Sequence, residues 1–170
     1  MIHVYSGSGK GKTTAVAGLA VRCFGHGKRV VFAQFLKTSK TGELASFGKL
    51  GIPVIRSLKN LGWTFKMNEA QKAECRLEQQ KILSGIVNEL NSSFVDLLIL
   101  DEALDAISTG MLDDDDFKKF LQSIDSRTEI AITGRPVPAW LLEKCDYYSN
   151  IEKVKHPYDK GLSAREGIEI

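Results

Sequence analysis

Residues 5–14, YSGSGKGKTT, stand between an apolar run containing Ile2 and Val4 and a segment whose apolar residues, Val16, Leu19, Ala20 and Phe24, recur at helical spacing. A strand that feeds a glycine-rich loop opening a helix restricts the chain to folds with that loop at a helix N-terminus. There, free N–H groups and the helix dipole favour an anion. Gly7, Gly9 and Gly11 let a ligand approach the backbone, and Lys10 and Lys12 bring positive charge to the same place. The phosphate-loop pattern is Gly, four residues, then Gly-Lys-Ser/Thr. Counting back from Gly11-Lys12-Thr13 puts Ser6 where the first glycine belongs. On this reading Lys12 reaches the outer phosphates of a nucleotide. Backbone N–H groups from Gly7 through Ser8, Gly9, Lys10 and Gly11 to Thr14 cradle the phosphates, and the Thr13 hydroxyl helps hold Mg2+.

Apolar strand-like runs recur at 2–5, 29–35, 53–56, 95–100, 129–133 and 147–154, with helix-like segments between most of them. Such alternation predicts an α/β fold, a P-loop NTPase-like (RecA-like), mostly parallel sheet of about six strands flanked by helices. The helix after the loop is apolar nearly all round and is expected to be buried against the sheet. Residues 68–91 read as an amphipathic helix capped by Asn68, with Ala73, Leu77, Leu83, Ile86, Val87 and Leu90 facing the core. Its opposite face, Lys72, Glu74, Glu78, Gln79 and Lys81, is expected to be solvated. Stretches 37–51 and 57–67 carry no clear periodicity, and long loops in compact domains are often functional.

One domain, 1–170, accounts for the length, which can bury about 70% of the unfolded surface without cross-links. A net charge of +2 from 23 basic and 21 acidic residues implies neither nucleic acid nor a membrane surface as partner. Cys23, Cys75 and Cys145 are far apart, which suits reduced thiols in a cytoplasm rather than disulfides or a zinc site. The first strand begins at residue 2, leaving no room for a signal peptide. Of the acidic run Asp113 to Asp116, the expected use is at a helix start, where acidic side chains complement the dipole.

VDLLILDEALD, residues 95–105, is an apolar run ending in Asp101 and Glu102. Carboxylates at the C-terminal end of a parallel strand stand at the sheet edge where open α/β folds bind ligands. Beside a phosphate loop they read as Mg2+ ligands or water-positioning groups. ITGRP, residues 132–136, ends another strand and offers Arg135 for a bidentate phosphate contact. No Asn-Lys-x-Asp is present to recognise guanine, so adenine is favoured. To this point the residues give a Mg–nucleoside-triphosphate site on an α/β domain, which a small-molecule kinase or a regulatory ATPase would also have.

In order along the chain, GSGKGKTT (7–14), GHGKRV (25–30), QFLK (34–37), GE (42–43), LDE (100–102), TGR (133–135), VKHPYDKG (154–161) and REGIE (165–169) resemble the P-loop type of corrinoid adenosyltransferase. The resemblance spans nearly the whole chain, and in that family the first loop glycine is also missing. It implies an enzyme in which a Co(I) corrinoid, cobalamin or cobinamide, attacks the 5′ carbon of ATP, forms a cobalt–carbon bond and expels triphosphate. Lys10 and Lys12 then stabilise the leaving group, Thr13 and Glu102 become Mg2+ ligands with Asp101 beside them, and Arg22 and Arg135 become nucleotide contacts. The family's aromatic segment near the corrin is matched by GWTF, Gly62 to Phe65, with Trp63 and Phe65 exchanged in order. These rings are implied to displace the lower cobalt ligand and give a reducible four-coordinate Co(II). An electron-donating flavoprotein or other reductant, and a homodimer, are implied as well.

Overall fold

The computed structural model describes residues 1–59 and 62–170. Each of the six expected runs overlaps a strand: β1 (Ile2–Ser6), β2 (Val30–Gln34), β3 (Val54–Arg56), β4 (Leu97–Asp101), β5 (Glu129–Thr133) and β6 (Tyr147–Asn150). They form one sheet of order β3-β2-β4-β5-β1-β6, and every pairing is parallel. The helices are α1 (Lys12–Gly25), α2 (Gly42–Leu50), α3 (Glu69–Ser92), α4 (Ala103–Ser108), α5 (Asp114–Ser123) and α6 (Ala139–Lys144). Because β5 lies between β1 and β4, its last residue, Thr133, separates the phosphate loop from Asp101 at the same sheet edge.

Alternation along the strands divides the core into two layers. Val30 and Phe32 of β2 and Leu97 and Ile99 of β4 pack with Val16 and Ala20 of α1 and Phe47 of α2. Val31, Ala33, Leu98 and Leu100 face the other way, onto Ile82 and Ile86 of α3, Leu104 of α4, Phe117 of α5 and Leu141 of α6. Both sheet faces are therefore covered, as a parallel sheet requires. Among the described residues, no helix is long and apolar enough to cross a membrane.

Three local readings change. Only Val16 and Ala20 of α1 are fully buried, and Val21 is exposed, because a helix in an outer layer meets the sheet along one stripe. Helix α3 turns a different face inward: Cys75, Glu78, Gln79, Ile82 and Ile86 are buried, while Leu77 and Val87 are exposed. The polar pair is tolerated inside because each finds partners. Glu78 accepts a hydrogen bond from Ser57 Oγ at 2.8 Å, and Gln79 Oε1 accepts one from the Leu36 N–H at 3.1 Å. Finally, 37–51 contains α2, and 57–67 contains a 3₁₀ turn at Thr64–Lys66, with residues 60 and 61 outside the described part.

Two helix starts follow the sequence closely. Asp113 caps α5 by accepting from the Asp116 N–H. At α3, Asn68 Oδ1 accepts from the Gln71 N–H at 2.9 Å while Gln71 Oε1 accepts from the Asn68 N–H at 2.9 Å, a reciprocal capping box. Replacing Asn68 with alanine is expected to lower stability by about 1 kcal/mol in urea denaturation, with no change of fold.

Candidate active site

The C-terminal ends of β1, β2, β4 and β5 open onto a cavity of about 1120 Å³ whose wall includes Lys12 and Thr13 after the phosphate loop as well as Trp63, Met67 and Gln79. Lys12, Thr13, Thr14, Glu102, Arg135 and Trp63 line it. The loop residues Gly7, Ser8, Gly9, Lys10 and Gly11 flank the cavity rather than line it.

The loop owes its shape to the chain beyond β6. The Ile151 N–H donates to Ser6 O at 2.8 Å, the Gly9 N–H donates to Ile151 O at 2.7 Å, and the Lys153 N–H donates to Ser8 Oγ at 3.3 Å. A Cβ on Gly7 would overlap Ile151 O, and one on Gly9 would lie 2.7 Å from Glu152 O. These two glycines therefore make room for the 150–152 backbone, a demand the sequence reading did not include. The Gly9 N–H is also spent on Ile151 and is withdrawn from the expected phosphate cradle. Gly11, with φ of 118° and nothing within 4 Å of a Cβ, is the open turn that starts α1.

Lys12 folds over this loop, its Nζ donating to Gly7 O at 2.8 Å and Gly9 O at 2.9 Å. Burial and then the charge of Arg135 pull its ammonium below the ordinary lysine value. Lys10 points elsewhere, forming an ion pair at 3.0 Å with Glu169 of the C-terminal segment, which itself lines the cavity. Arg22 is not brought to the site. It lies exposed in the last turn of α1, roughly 15 Å along the helix from Lys12 at about 1.5 Å per residue.

Opposite the loop, Asp101 is fully buried. Its Oδ1 accepts from Thr13 Oγ1 at 3.0 Å and from Thr133 Oγ1 at 2.8 Å, and its Oδ2 receives Lys37 Nζ at 2.7 Å. Lys37 Nζ also donates to Thr13 Oγ1 at 2.9 Å and stands 3.3 Å from Glu102 Oε1. Burial alone would lower the Lys37 pKa, but Asp101 and Glu102 beside it raise it above the ordinary value. Glu102 begins α4 with φ of 60°, a left-handed conformation uncommon for a residue with a Cβ, and its N–H donates to Thr133 Oγ1 at 2.9 Å. Burial pushes its carboxyl up to about 7, against the pull of Lys37.

Thr13, Asp101 and Glu102 thus already converge on a cation, the Lys37 ammonium, and this donor set fits Mg2+. Among the described residues, no group of three or more His, Cys, Asp and Glu side chains could hold a metal by itself. That is the ordinary case for magnesium, which takes one or two carboxylates and relies on substrate phosphates and water for the rest.

Sequence reading gave no role to Lys37 or Asp105. Lys37 follows the end of β2, whose Gln34 is paired in register with Asp101, so its position at the sheet edge was the available signal. Asp105, one turn beyond Asp101 on α4, lines the cavity and accepts the Arg135 N–H. Burial raises its carboxyl above the usual range. A Cβ on Gly134 would stand 2.5 Å from Asp105 Oδ2, so this glycine makes room for the carboxylate.

Trp63 also lines the cavity and Phe65 stands beside it, ring centroids 6.1 Å apart. The rings are 71% and 78% exposed, respectively. Such exposure rules out a core-packing role for either.

A family model described as ATP:corrinoid adenosyltransferase BtuR/CobO/CobP matches residues 1–170. The corrinoid adenosyltransferase of Escherichia coli strain K12 is 32% identical over 170 residues, covering 99% of this chain and 85% of that protein. The corrinoid adenosyltransferase of Pseudomonas aeruginosa is 29% identical over 172 residues, covering 100% and 83%. Corrinoid adenosyltransferase CobA of Salmonella typhimurium is 31% identical over 170 residues, covering 99% and 85%.

Proposed function

Taking as premise that the chain belongs to the ATP:corrinoid adenosyltransferase family, we propose that the phosphate-loop end of its cavity holds ATP and the end under Trp63 receives the corrinoid. The protein is a transferase that joins the adenosyl group of ATP to a corrinoid. The observation that carries the placement is the continuity and size of the cavity. At about 1120 Å³ it exceeds the usual 300–1,000 Å³ of a single-ligand pocket, as the meeting of two large substrates demands.

In the reaction the Co(I) electron pair forms a bond to C5′, the C5′–O bond breaks, and triphosphate leaves with that bond's electrons. The most anionic species on the path is the leaving group. Lys12 and the N-terminus of α1 stabilise its charge from fixed positions. Arg135 adds a cation from the end of β5, and Lys10, paired with Glu169 at the cavity wall, adds another from the loop. Thr13, Asp101 and Glu102 are the residues that would hold Mg2+, which supplies further neutralisation of the phosphates when bound. Trp63 and Phe65 present aromatic faces to the corrin and keep water from the cobalt.

The working unit is the single domain 1–170, and we assign it to a reducing cytoplasm, in keeping with the free thiols of Cys23, Cys75 and Cys145. Co(I) requires an electron donor, a flavoprotein or another reductant. A homodimer belongs to the same reading, and β6 at the edge of the sheet leaves Tyr147 and Tyr148 exposed where a second copy could meet it.

Product analysis after incubation with ATP and chemically reduced cobalamin tests the reading. Triphosphate with a new cobalt–carbon absorbance is the expected result. ADP with free phosphate would indicate an ATPase, and ADP with a phosphorylated acceptor a kinase.

Replacing both Trp63 and Phe65 with alanine is expected to lower activity roughly tenfold when Co(II) must be reduced in the site, a loss of about 1.4 kcal/mol in barrier terms. The loss is expected to be much smaller when Co(I) is supplied, and ATP affinity should be unchanged. Since both rings are exposed, the melting temperature should hardly move. Equal losses in the two assays would show that the pair plays no part in Co(II) reduction.

A further inference from the structure

Lys37 occupies the place where the metal ligands converge. Its Nζ lies 2.7 Å from Asp101 Oδ2, 2.9 Å from Thr13 Oγ1 and 3.3 Å from Glu102 Oε1. A magnesium ion bound to the same oxygens would sit about 2.0–2.1 Å from them, too close to share the seat with an ammonium. Yet Asp101 needs a cation there at all times, because it is fully buried and an unpaired carboxylate in the interior is costly.

We propose that Lys37 is a resident counter-cation, holding the Thr13–Asp101–Glu102 cluster until metal and nucleotide arrive together and then swinging out of the seat toward the triphosphate. The proposal rests on the reading of this end of the cavity as the metal–nucleotide site. The surrounding contacts allow such a movement in the side chain alone. The backbone is pinned on both sides: the Lys37 N–H donates to Phe35 O at 2.6 Å, and Arg56 NH2 donates to Lys37 O at 3.1 Å and Ser39 O at 2.8 Å. The side chain borders the same cavity as Lys12 and Arg135, so an ammonium leaving the carboxylates stays within reach of the phosphates. The exchange explains how one buried carboxylate stays paired in both states. It also makes metal loading conditional on the nucleotide, whose phosphates offer the displaced ammonium a new partner.

The test uses manganese as the metal probe, followed by the spectroscopic signal of the free ion, on the nucleotide-free full chain. Wild type is expected to bind Mn2+ weakly. Lys37→Met, which keeps the stem and removes the charge, should bind at least about tenfold more tightly, and Lys37→Arg should behave like wild type. Thermal unfolding gives a second readout, in which Mg2+ without nucleotide raises the melting temperature of Lys37→Met and leaves wild type unchanged. Equal Mn2+ affinity in wild type and Lys37→Met overturns the proposal. So does tight binding by the nucleotide-free wild type, which settles the matter even if the methionine variant fails to fold. Wild type that forms no triphosphate from ATP and reduced corrinoid would instead sink the functional reading, a result the nucleotide-free titrations do not share.

Discussion

Lys12→Ala is expected to reduce triphosphate formation from ATP and a Co(I) corrinoid by at least about a hundredfold, equivalent to about 2.7 kcal/mol of transition-state stabilisation. The lysine sits in the first turn of α1 with its ammonium already fixed over the loop by Gly7 O and Gly9 O, so little reorganisation is needed when charge develops on the leaving group. Its removal acts twice: a cation is lost, and two carbonyl oxygens are left facing the incoming phosphates. Folding should survive, because the side chain is only partly buried and belongs to neither core layer. Turnover like that of wild type, in a variant with a wild-type melting curve, would remove the loop as the ATP site.

The sheet could be read from the sequence because a parallel strand covered on both faces is apolar at nearly every position, and runs such as residues 97–100 have few other uses. The phosphate loop and the Asp101–Glu102 pair were legible for a related reason: backbone geometry at a strand end leaves a signature in consecutive residues. What failed depended on contacts between distant segments. Helix α3 shows this in its choice of face. Its apolar residues allowed Leu77 inward, but burying Glu78 and Gln79 became favourable once Ser57 and the Leu36 N–H were there to bond them. Lys37 closes the QFLK motif, but its contact with Asp101 emerges only when β2 and β4 pair. Arg22 carries a motif position without a place at the site, since ten residues of helix separate it from the loop. At Gly7 and Gly9 the smallness was legible, but the closeness of the 150–152 backbone was not.

That neighbour makes Gly7→Ala the sharpest structural test of the site. The residue has φ of 106°, which a side chain rarely tolerates, and the added methyl would overlap Ile151 O and lie 2.6 Å from Asn150 Oδ1. The nearest obstacle is backbone, held by the Ile151–Ser6 and Gly9–Ile151 hydrogen bonds, so no side-chain rotation relieves it. We expect a loss of about 3 kcal/mol in urea denaturation, combining backbone strain with overpacking. ATP affinity should fall with it, because the carbonyls that position Lys12 belong to the displaced loop. Gly11→Ala separates the two causes: its φ is 118°, but nothing lies within 4 Å of the new methyl, so it pays only the backbone part. Gly18→Ala, in the open middle of α1, should be neutral or stabilising by up to about 1 kcal/mol. If Gly7→Ala is no less stable than Gly11→Ala and binds ATP like wild type, the 150–152 segment does not shape the loop, and the glycine at position 7 must be explained by the ligand after all.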